Sequence, residues 1–383
     1  MSFFKNHSNW PLVALKDIST LKRGYDLPTK NRVEGDVPIY AANGINGSHN
    51  EVKIKGPGVI TGRSGTIGKV HFTEQDYWPL NTSLYVTDFH GNNPKWVFYM
   101  LRVFQLERFV EGAGVPTLNR NLVHDELIPL PPLEVQKRIA AILDKADAIL
   151  QKRKQAIDLA DEFLRSVFLD MFGDPVTNPK GWEQVALSTL SEKILNGTTP
   201  KGGSEVYAEK GIAFLRSQNV WKKRIDLDDI VYLDDETHAK MSKSSLKNKD
   251  ILITKTGRIN TENSSLGRAA IYYGKDDKAN INGHVYLVRL KSDNLHEFIE
   301  FILTTKEYRD HIRSVCVGGI DKRQLNKNHI EDFPIICPPI SEQQRFIKIL
   351  HQSQKVLDNY KKQLVEAQNN FSALTQKAFS GQI

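Results

Sequence analysis

One glycine-rich segment has the composition of a nucleotide-binding loop. Residues 62–70 read GRSGTIGKV. The spacing between these glycines differs from that of a phosphate-binding loop, and Val70 stands where a Ser or Thr hydroxyl must contact magnesium. We therefore exclude an ATP site and predict a hairpin between two strands, in which Gly supplies the positive φ angles of the turn. The Arg and Lys side chains of this hairpin can still contact a phosphate backbone.

The sequence offers no other motif for catalysis or metal binding. A DNA methyltransferase needs a glycine-rich methyl-donor loop and an Asn/Asp-Pro-Pro-aromatic tetrapeptide, and neither Pro-Pro pair, 131–132 or 338–339, has the flanking residues of that tetrapeptide. The eleven His residues are scattered, and Cys316 and Cys337 cannot form a metal-ligand cluster. No carboxylate pair has nuclease-like spacing to a Lys. The sequence therefore predicts no catalytic residue, no metal site and no cofactor held by this chain.

The remaining candidates are basic, amide, hydroxyl and aromatic side chains in predicted loops. Arg can bond two acceptors of guanine and Asn or Gln can bond adenine, while Lys and backbone N–H groups hold phosphates. A solvated turn explains any one of these residues equally well, so the prediction of DNA binding depends on the group. The candidates in the first half are Arg23, Tyr25, Asn43, Arg63, Ser64, Thr66, Lys69, Asn81 and Arg120. Those in the second half are Lys201, Arg216, Ser217, Gln218, Asn219, Lys255, Thr256, Arg258, Asn282, Lys322 and Arg323.

Short runs rich in β-branched residues and bounded by Gly or Asn predict the strands that hold these loops. The predicted strands include 58–61, 69–72, 251–254 and 285–290. Shorter helices are predicted at 94–109 and 295–314. Each half of the chain is therefore expected to contain a mixed domain of short strands and helices.

Two longer runs, 133–173 and 339–383, carry apolar residues on a seven-residue period, which is typical of a coiled coil. A helix of about 38 residues is about 57 Å long at 1.5 Å per residue. Two core helices of a bundle are the alternative, but equal lengths and a shared register favour pairing of these helices with each other. We predict that they pair antiparallel. The predicted pairing residues are Ile139, Leu143, Leu150, Ile157 and Leu164 in the first run, and Phe346, Leu350, Leu357, Leu364 and Phe371 in the second.

The chain contains an internal repeat. Residues 10–19 (WPLVALKDIS) return as 182–191 (WEQVALSTLS), and 118–121 (LNRN) return as 325–328 (LNKN). Each Leu-Asn-x-Asn motif is followed by a Pro-Pro pair and then by a predicted helix whose first two turns contain Gln and Arg. The repeat predicts an α+β fold in which two mixed α/β domains are related by a pseudo-two-fold axis and joined by the antiparallel helices. The predicted segments are domain 1–132, helix 133–173, domain 174–338 and helix 339–383.

Composition agrees with a folded, multidomain chain. The 383 residues can form two or three domains, and 25% charged with 40% apolar residues argues against disorder. A net charge of +7 and a pI near 9.1 favour polyanionic partners. No apolar run approaches the roughly 18 residues of a membrane span. We therefore expect no membrane partner. The presence of only two cysteines suits a reducing compartment, so we expect a cytoplasmic protein.

Together, the doubled Trp-x-x-x-x-Leu, Leu-Asn-x-Asn and Pro-Pro-x-x-x-Gln-x-Arg motifs and the hairpin at 62–70 resemble the specificity subunits of type I restriction-modification systems. The resemblance covers residues 10–381. It implies two target recognition domains, each reading one half of an asymmetric site in double-stranded DNA, and helices that set the unread spacer. It also implies two modification subunits, which methylate adenine N6 with S-adenosylmethionine, and two restriction subunits, which use ATP and Mg to translocate and cut.

The two halves also differ. The second half is about 35 residues longer between its Trp and its Pro-Pro pair, and it has 254–258 (TKTGR) in place of the GRSGT hairpin. The resemblance therefore implies that the domains read different half-sites. Two alternatives remain open, namely a stand-alone repeat-built DNA-binding or anti-restriction protein without methyltransferase partners, and an enzyme whose motif is not recognisable in the sequence.

Overall fold

The computed structural model describes residues 3–112, 116–259, 261, 263–291, 295–319 and 321–383. The chain divides into two compact units. The first comprises Met1–Ile157 and Asn359–Ile383, and the second comprises Asp158–Asp358. Each unit therefore contains one mixed domain, called here the first or the second domain, together with a part of each long helix.

The first domain is built from short strands and helices that precede the first long helix, α4. Its strands are β1 Leu12–Ala14, β2 Thr20–Arg23, β3 Val37–Ala41, β4 Gly44–His49, β5 Gly58–Gly62, β6 Val70–Thr73, β7 Trp78–Pro79, β8 Ser83–Asp88, β9 Val110–Glu111, β10 Thr117–Leu118 and β11 Leu127–Pro129. Its helices are α1 Leu15–Ile18, α2 Pro94–Val103 and α3 Arg120–His124, followed by α4 Leu133–Phe172, and 3-10 turns lie at Thr29–Asn31 and Leu106–Phe109.

The second domain has a longer series of elements, which ends at the second long helix, α10. Its strands are β12 Gln184–Ala186, β13 Ser191–Asn196, β14 Ile212–Leu215, β15 Val220–Trp221, β16 Arg224–Ile225, β17 Val231–Leu233, β18 Ile251–Thr254, β19 Thr256–Gly257, β20 Ala269–Ile271, β21 Ala279–Ile281, β22 Val285–Leu290, β23 Val317–Gly318, β24 Arg323–Gln324 and β25 Pro334–Ile336. Its helices are α5 Leu187–Leu190, α6 Asp235–Lys240, α7 His296–Thr304, α8 Lys306–Val315 and α9 Lys327–Glu331, followed by α10 Ile340–Phe379, and 3-10 turns lie at Gly203–Val206 and Ser242–Ser244.

The two domains share one sheet topology. An antiparallel sheet of order β2-β8-β5-β6 corresponds to β13-β22-β18-β20. A three-stranded sheet of order β4-β3-β7 corresponds to β17-β14-β21, and each has one antiparallel and one parallel pair. The outer pair β1-β11 corresponds to β12-β25. The internal repeat and the α+β fold predicted from the sequence are therefore confirmed.

Most predicted elements are present, but both shorter helices differ from their predictions. The strands at 251–254 and 285–290 are β18 and β22, and the two in the first domain are displaced by at most one residue. The helix predicted at 94–109 ends after Val103, because Gln105 adopts a left-handed conformation with φ of 55°. The helix predicted at 295–314 is two helices, because Thr305 breaks α7 and its hydroxyl caps the N–H of Tyr308.

In the first unit, the start of α4 packs with the end of α10. Both helices are 40 residues long. The predicted pairing residues Ile139, Leu143, Leu150 and Phe371 belong to one buried core, and Leu364 packs against it. The core also includes Tyr99 of α2, whose ring centroid lies 6.2 Å from that of Phe371.

In the second unit, the end of α4 packs with the start of α10. The ring centroid of Phe168 lies 5.3 Å from that of Phe346, and Leu164 joins the same core. Since start meets end in each unit, the two helices run antiparallel, as predicted. Of the other predicted pairing residues, Ile157 of the first unit is half-buried and Leu357 of the second unit is buried.

Each long helix is divided between the two units, and its ends pack into the adjacent domains. The side chain of Gln136 on α4 accepts a hydrogen bond from Asn93 N and donates to Asn92. Phe172, at the other end of α4, packs on Phe298 of α7 with ring centroids 5.1 Å apart. Each helix end is therefore part of the adjacent domain's core.

A buried ion pair holds the second domain's four-stranded sheet to a neighbouring turn. Asp250 is 1% exposed and accepts hydrogen bonds from Nε and Nη2 of Arg289 at 2.8 and 2.7 Å. The same carboxylate accepts a hydrogen bond from the backbone N–H of Lys247 at 2.7 Å. The Asp250 contact raises the pKa of Arg289. A buried charge that loses its partner keeps its full desolvation cost.

We expect D250A to lower the free energy of unfolding by about 3 kcal/mol, because the largely buried Arg289 guanidinium loses its hydrogen-bonded carboxylate partner. Denaturant unfolding of the purified chain measures this loss. The double variant D250A/R289M should be less destabilised than the sum of the two single variants. Additive losses would contradict a coupled pair.

Candidate nucleic-acid interface

In the first domain, the segment at 62–70 forms a tight turn between β5 and β6, as predicted. A Cβ atom at Gly62 would overlap the carbonyl oxygen of Thr66, so the turn folds back directly over this glycine. The hydroxyl of Thr61 and the N–H of Gly62 both donate to the carbonyl oxygen of Lys69, at 2.9 and 3.2 Å. Gly65 at the tip has φ of +80°. The turn is therefore fixed at its base and exposed at its tip.

Backbone hydrogen bonds join this turn to the Leu-Asn-x-Asn motif. The N–H of Leu118 donates to the carbonyl oxygen of Arg63 at 2.8 Å, and Ser64 forms a β-bridge with Thr117. Arg120, two residues after Leu118, is exposed at the first position of α3. The backbone of the repeated motif therefore positions the turn at 62–70.

The same turn is hydrogen-bonded to the segment before β8. The N–H of Arg63 donates to the carbonyl oxygen of Thr82 at 2.9 Å, and the N–H of Tyr25 donates to that of Pro79 at 2.8 Å. The amide of Asn81 donates to Asp26, and Asp26 lies 3.6 Å from Arg23. These contacts group most of the predicted residues. The first edge comprises Arg23, Tyr25, Arg63, Ser64, Thr66, Lys69 and Asn81. Asn43 is exposed between β3 and β4.

The second domain repeats the arrangement with other residues. The N–H of Leu325 donates to the carbonyl oxygen of Lys255 at 2.9 Å, and β19 pairs with β24, so that Thr256 lies opposite Gln324. A cleft of about 510 Å³ lies beside this pairing. Its lining includes Thr256, Arg258, Ser264, Arg268 and Lys322. Arg323 is in β24.

Asn282 and the turn after β14 lie at the same edge of the second domain. The N–H of Asn282 donates to the carbonyl oxygen of Leu215 at 3.0 Å, and the N–H of Lys255 donates to that of His284 at 2.8 Å. Ser217 is half-buried in the turn after β14. Lys201 is exposed in the loop that follows β13.

Asn219 corrects the prediction. Its side chain is 2% exposed, accepts a hydrogen bond from Arg216 N at 2.9 Å and donates to Asp226 O at 3.0 Å. An amide whose donor and acceptor are both used inside the turn holds the turn and does not face a groove. We therefore remove Asn219 from the candidate DNA contacts.

Two of its neighbours are held by one carboxylate. Asp229 accepts a hydrogen bond from the amide of Gln218 at 2.5 Å and lies 3.0 Å from the Arg216 guanidinium. These two contacts lower the pKa of Asp229, with the Gln218 hydrogen bond as the larger cause. Asp229 therefore holds the side chains of Arg216 and Gln218 at this turn.

Within the described residues, no group of three or more His, Cys, Asp or Glu side chains lies close enough to hold a metal ion. No helix in the described part of the chain has both the length and the apolar character needed to span a lipid bilayer.

The sequence profile of the type I restriction modification DNA specificity domain matches residues 7–159 and 179–368. The chain belongs to this family. The two matched ranges correspond to the two copies of the structural repeat.

Specificity subunits of type I restriction enzymes are among its relatives. The StySPI subunit of Salmonella potsdam is 24% identical over 307 residues, which cover 75% of this chain and 63% of that protein. A Haemophilus influenzae specificity subunit is 22% identical, with 88% and 85% covered. The chain therefore spans less than two thirds of the length of some curated relatives that it matches.

Solved structures share the fold. The specificity subunit of M. genitalium superposes with a TM-score of 0.60 at 16% identity, and the superposition covers 99% of each chain. A chain from a study of type I complex assembly superposes with a TM-score of 0.54, also at 16% identity.

The specificity-domain edges also contain residues that the sequence prediction missed. Lys53 lies 4.7 Å from the ring centroid of Tyr25 and 5.0 Å from that of Trp78, a contact that no sequence spacing indicates. Arg268 lines the cleft of the second domain. It directly follows Gly267, as Lys69 follows Gly68, so the repeated Gly-basic pair is a signal that could have found it.

We expect G62A to open the turn of the first domain, because the new Cβ would overlap the Thr66 carbonyl. Hydrogen exchange measures this at the Leu118 amide, whose bond to Arg63 depends on the turn, and an increase of about tenfold or more in exchange rate is expected. T66A is the matched control, since it shortens an exposed side chain of the same turn and adds no atom near the Thr66 carbonyl. Equal exchange in both variants would contradict the packing argument.

Proposed function

We propose that this chain is the DNA-reading specificity subunit of a type I restriction-modification complex. Each domain reads one half of a bipartite, asymmetric site in double-stranded DNA. The proposal depends on one observation: the corresponding turns of the two domains have the same backbone hydrogen bonds but carry different side chains. Arg63 and Ser64 in the first domain, and Lys255 and Thr256 in the second, have the same backbone attachment. Two readers that differ in side chains are what an asymmetric site requires.

The energetics of this proposal favour two half-sites over one. A good bidentate contact discriminates between bases by about 1–3 kcal/mol, so one edge alone gives modest specificity. Linking two readers raises the effective concentration of the second half-site, but only when the spacing of the half-sites matches that of the readers. The paired helices α4 and α10 supply the fixed spacing in this proposal.

The chemistry in this proposal belongs to partner subunits. Two modification subunits methylate adenine N6 with S-adenosylmethionine, and two restriction subunits translocate and cleave DNA with ATP and Mg. This chain is the non-catalytic part of that complex, which acts in the cytoplasm. Two apolar side chains on α4, Leu159 and Phe163, are each 54% exposed and favour this part of the long helix as a docking surface for the modification subunits.

The test is to co-express the chain with its modification subunit and to map methylated adenines across the host genome. We expect a split motif with a constant gap that disappears when the chain is deleted. Replacing residues 182–337 by those of another family member should alter one half of the motif and leave the other half unchanged.

Other outcomes separate the alternatives. A stable complex without methylation would leave a stand-alone DNA-binding or anti-restriction role. Failure to form any complex would contradict the partner proposal. Methyl transfer by the purified chain alone would contradict the non-catalytic role.

The spacer role is tested by inserting one heptad after Leu150 and one after Leu357. Seven helical residues add about 10 Å, which is close to the rise of three base pairs. We therefore expect the unread gap in the methylated motif to lengthen by about three base pairs. Seven residues inserted after Gly91, an exposed loop position, should leave the gap unchanged. The spacer role fails if the helical insertions also leave it unchanged.

A further inference from the structure

We propose that Trp221 and Arg268 are positioning residues that set the base specificity of the second domain. They hold the loop 263–268, which lines the cleft of the second domain, in the one conformation that accepts the correct bases. This inference rests on the proposed DNA-reading function and identifies a residue pair that acts through the loop. The pair is specific to the second domain.

Trp221 belongs to a hairpin that the second domain has and the first domain lacks. In the first domain, β3 and β4 are connected by residues 42–43, which include the candidate Asn43. In the second domain, the corresponding strands β14 and β17 are connected by residues 216–230, which contain the hairpin β15-β16. The hairpin is fixed to the four-stranded sheet, because the N–H of Lys223 donates to the carbonyl oxygen of Ala269 in β20 at 2.8 Å.

The guanidinium of Arg268 lies over the face of the Trp221 ring. The guanidinium carbon of Arg268 lies 3.8 Å from the ring centroid of Trp221, and that of Arg224 lies 5.3 Å away. A cation this close to an indole face is held electrostatically, and more strongly where water is partly excluded. Burial is the largest cause that lowers the pKa of Arg268, and the charges of Arg309 and Arg224 add to it.

Arg268 in turn holds the loop. Its Nε donates to the carbonyl oxygen of Ser264 at 3.1 Å, and its Nη2 donates to that of Asn263 at 2.6 Å. Its own N–H donates to the hydroxyl of Thr254 at the end of β18 at 2.8 Å. Asn263 and Ser264 line the cleft with Thr256 and Arg258. The inserted hairpin therefore braces one wall of the cleft through a single side chain.

A braced wall affects specificity more than affinity. Discrimination between bases requires donors and acceptors held within about 0.5 Å of the productive geometry. If the wall relaxes, the cleft can adjust to incorrect bases, while phosphate contacts, which position the protein without reading sequence, are retained. Loss of the brace should therefore broaden the accepted half-site before it abolishes binding.

The test uses the complete complex with the modification subunit and two duplex libraries, one randomised in each half-site. Methylated molecules are sequenced. For W221A, we expect the preference for the correct second half-site over its single-base variants to fall about tenfold, with the first half-site preference unchanged. R268K should behave similarly, because an ammonium keeps the charge but lacks the planar fork that reaches both carbonyls.

Two variants serve as controls. W221F keeps an aromatic face and should retain most of the preference. R224A removes the other cation near the same ring without touching the loop and should resemble wild type.

An unchanged second half-site preference in W221A and R268K would overturn the inference, and so would a uniform loss of methylation with the preference preserved. If W221A fails to enter the complex, R268K decides. Absence of any sequence preference in the wild-type complex would instead refute the proposed function itself.

Discussion

The core of each unit is completed by side chains from both long helices, and the rest of the structure depends on this shared burial. Phe168 and Phe172 from α4 and Phe346 from α10 close one core, while Leu143 and Phe371 close the other. Burial of one such side chain contributes about 1.5–3 kcal/mol. Neither core is complete with one helix alone, so the helices are structural parts of both domains as well as a connection between them.

On this framework, the edges can differ without cost to the core. The four-stranded and three-stranded sheets have the same strand order in the two domains, and the Leu-Asn-x-Asn segments fix both turns through main-chain hydrogen bonds. Main-chain bonds do not depend on side-chain identity. The second domain can therefore accommodate 15 residues at 216–230 where the first has two at 42–43. Variation is confined to loops, as is common when a rigid scaffold presents a binding surface.

The sequence predicted the framework well and the edges only in outline. Repeated motifs and heptads report periodicity, which is a property of the chain itself, and they located the internal repeat and both long helices. Runs of β-branched residues located β18 and β22. Loop side chains depend on partners distant in sequence. No local pattern indicates that Asn219 is buried, that Asp229 holds Arg216, or that Trp221 lies under Arg268, 47 residues away. The helix break at Gln105 was missed for a similar reason, since a positive φ at a non-Gly residue is set by tertiary packing.

The discontinuous first unit also has a consequence for the order of folding during synthesis. The second unit is one continuous stretch, Asp158–Asp358, whereas the first also needs Asn359–Ile383, which are translated after the whole of the second unit. His7 N donates to Ser380 O, and the ring of Phe4 packs against Phe379, so the segment around these two residues also waits for residues that are translated later. Domains generally fold in the order in which they are translated. Here the order is reversed, and the domain that is made first is the last to complete its core.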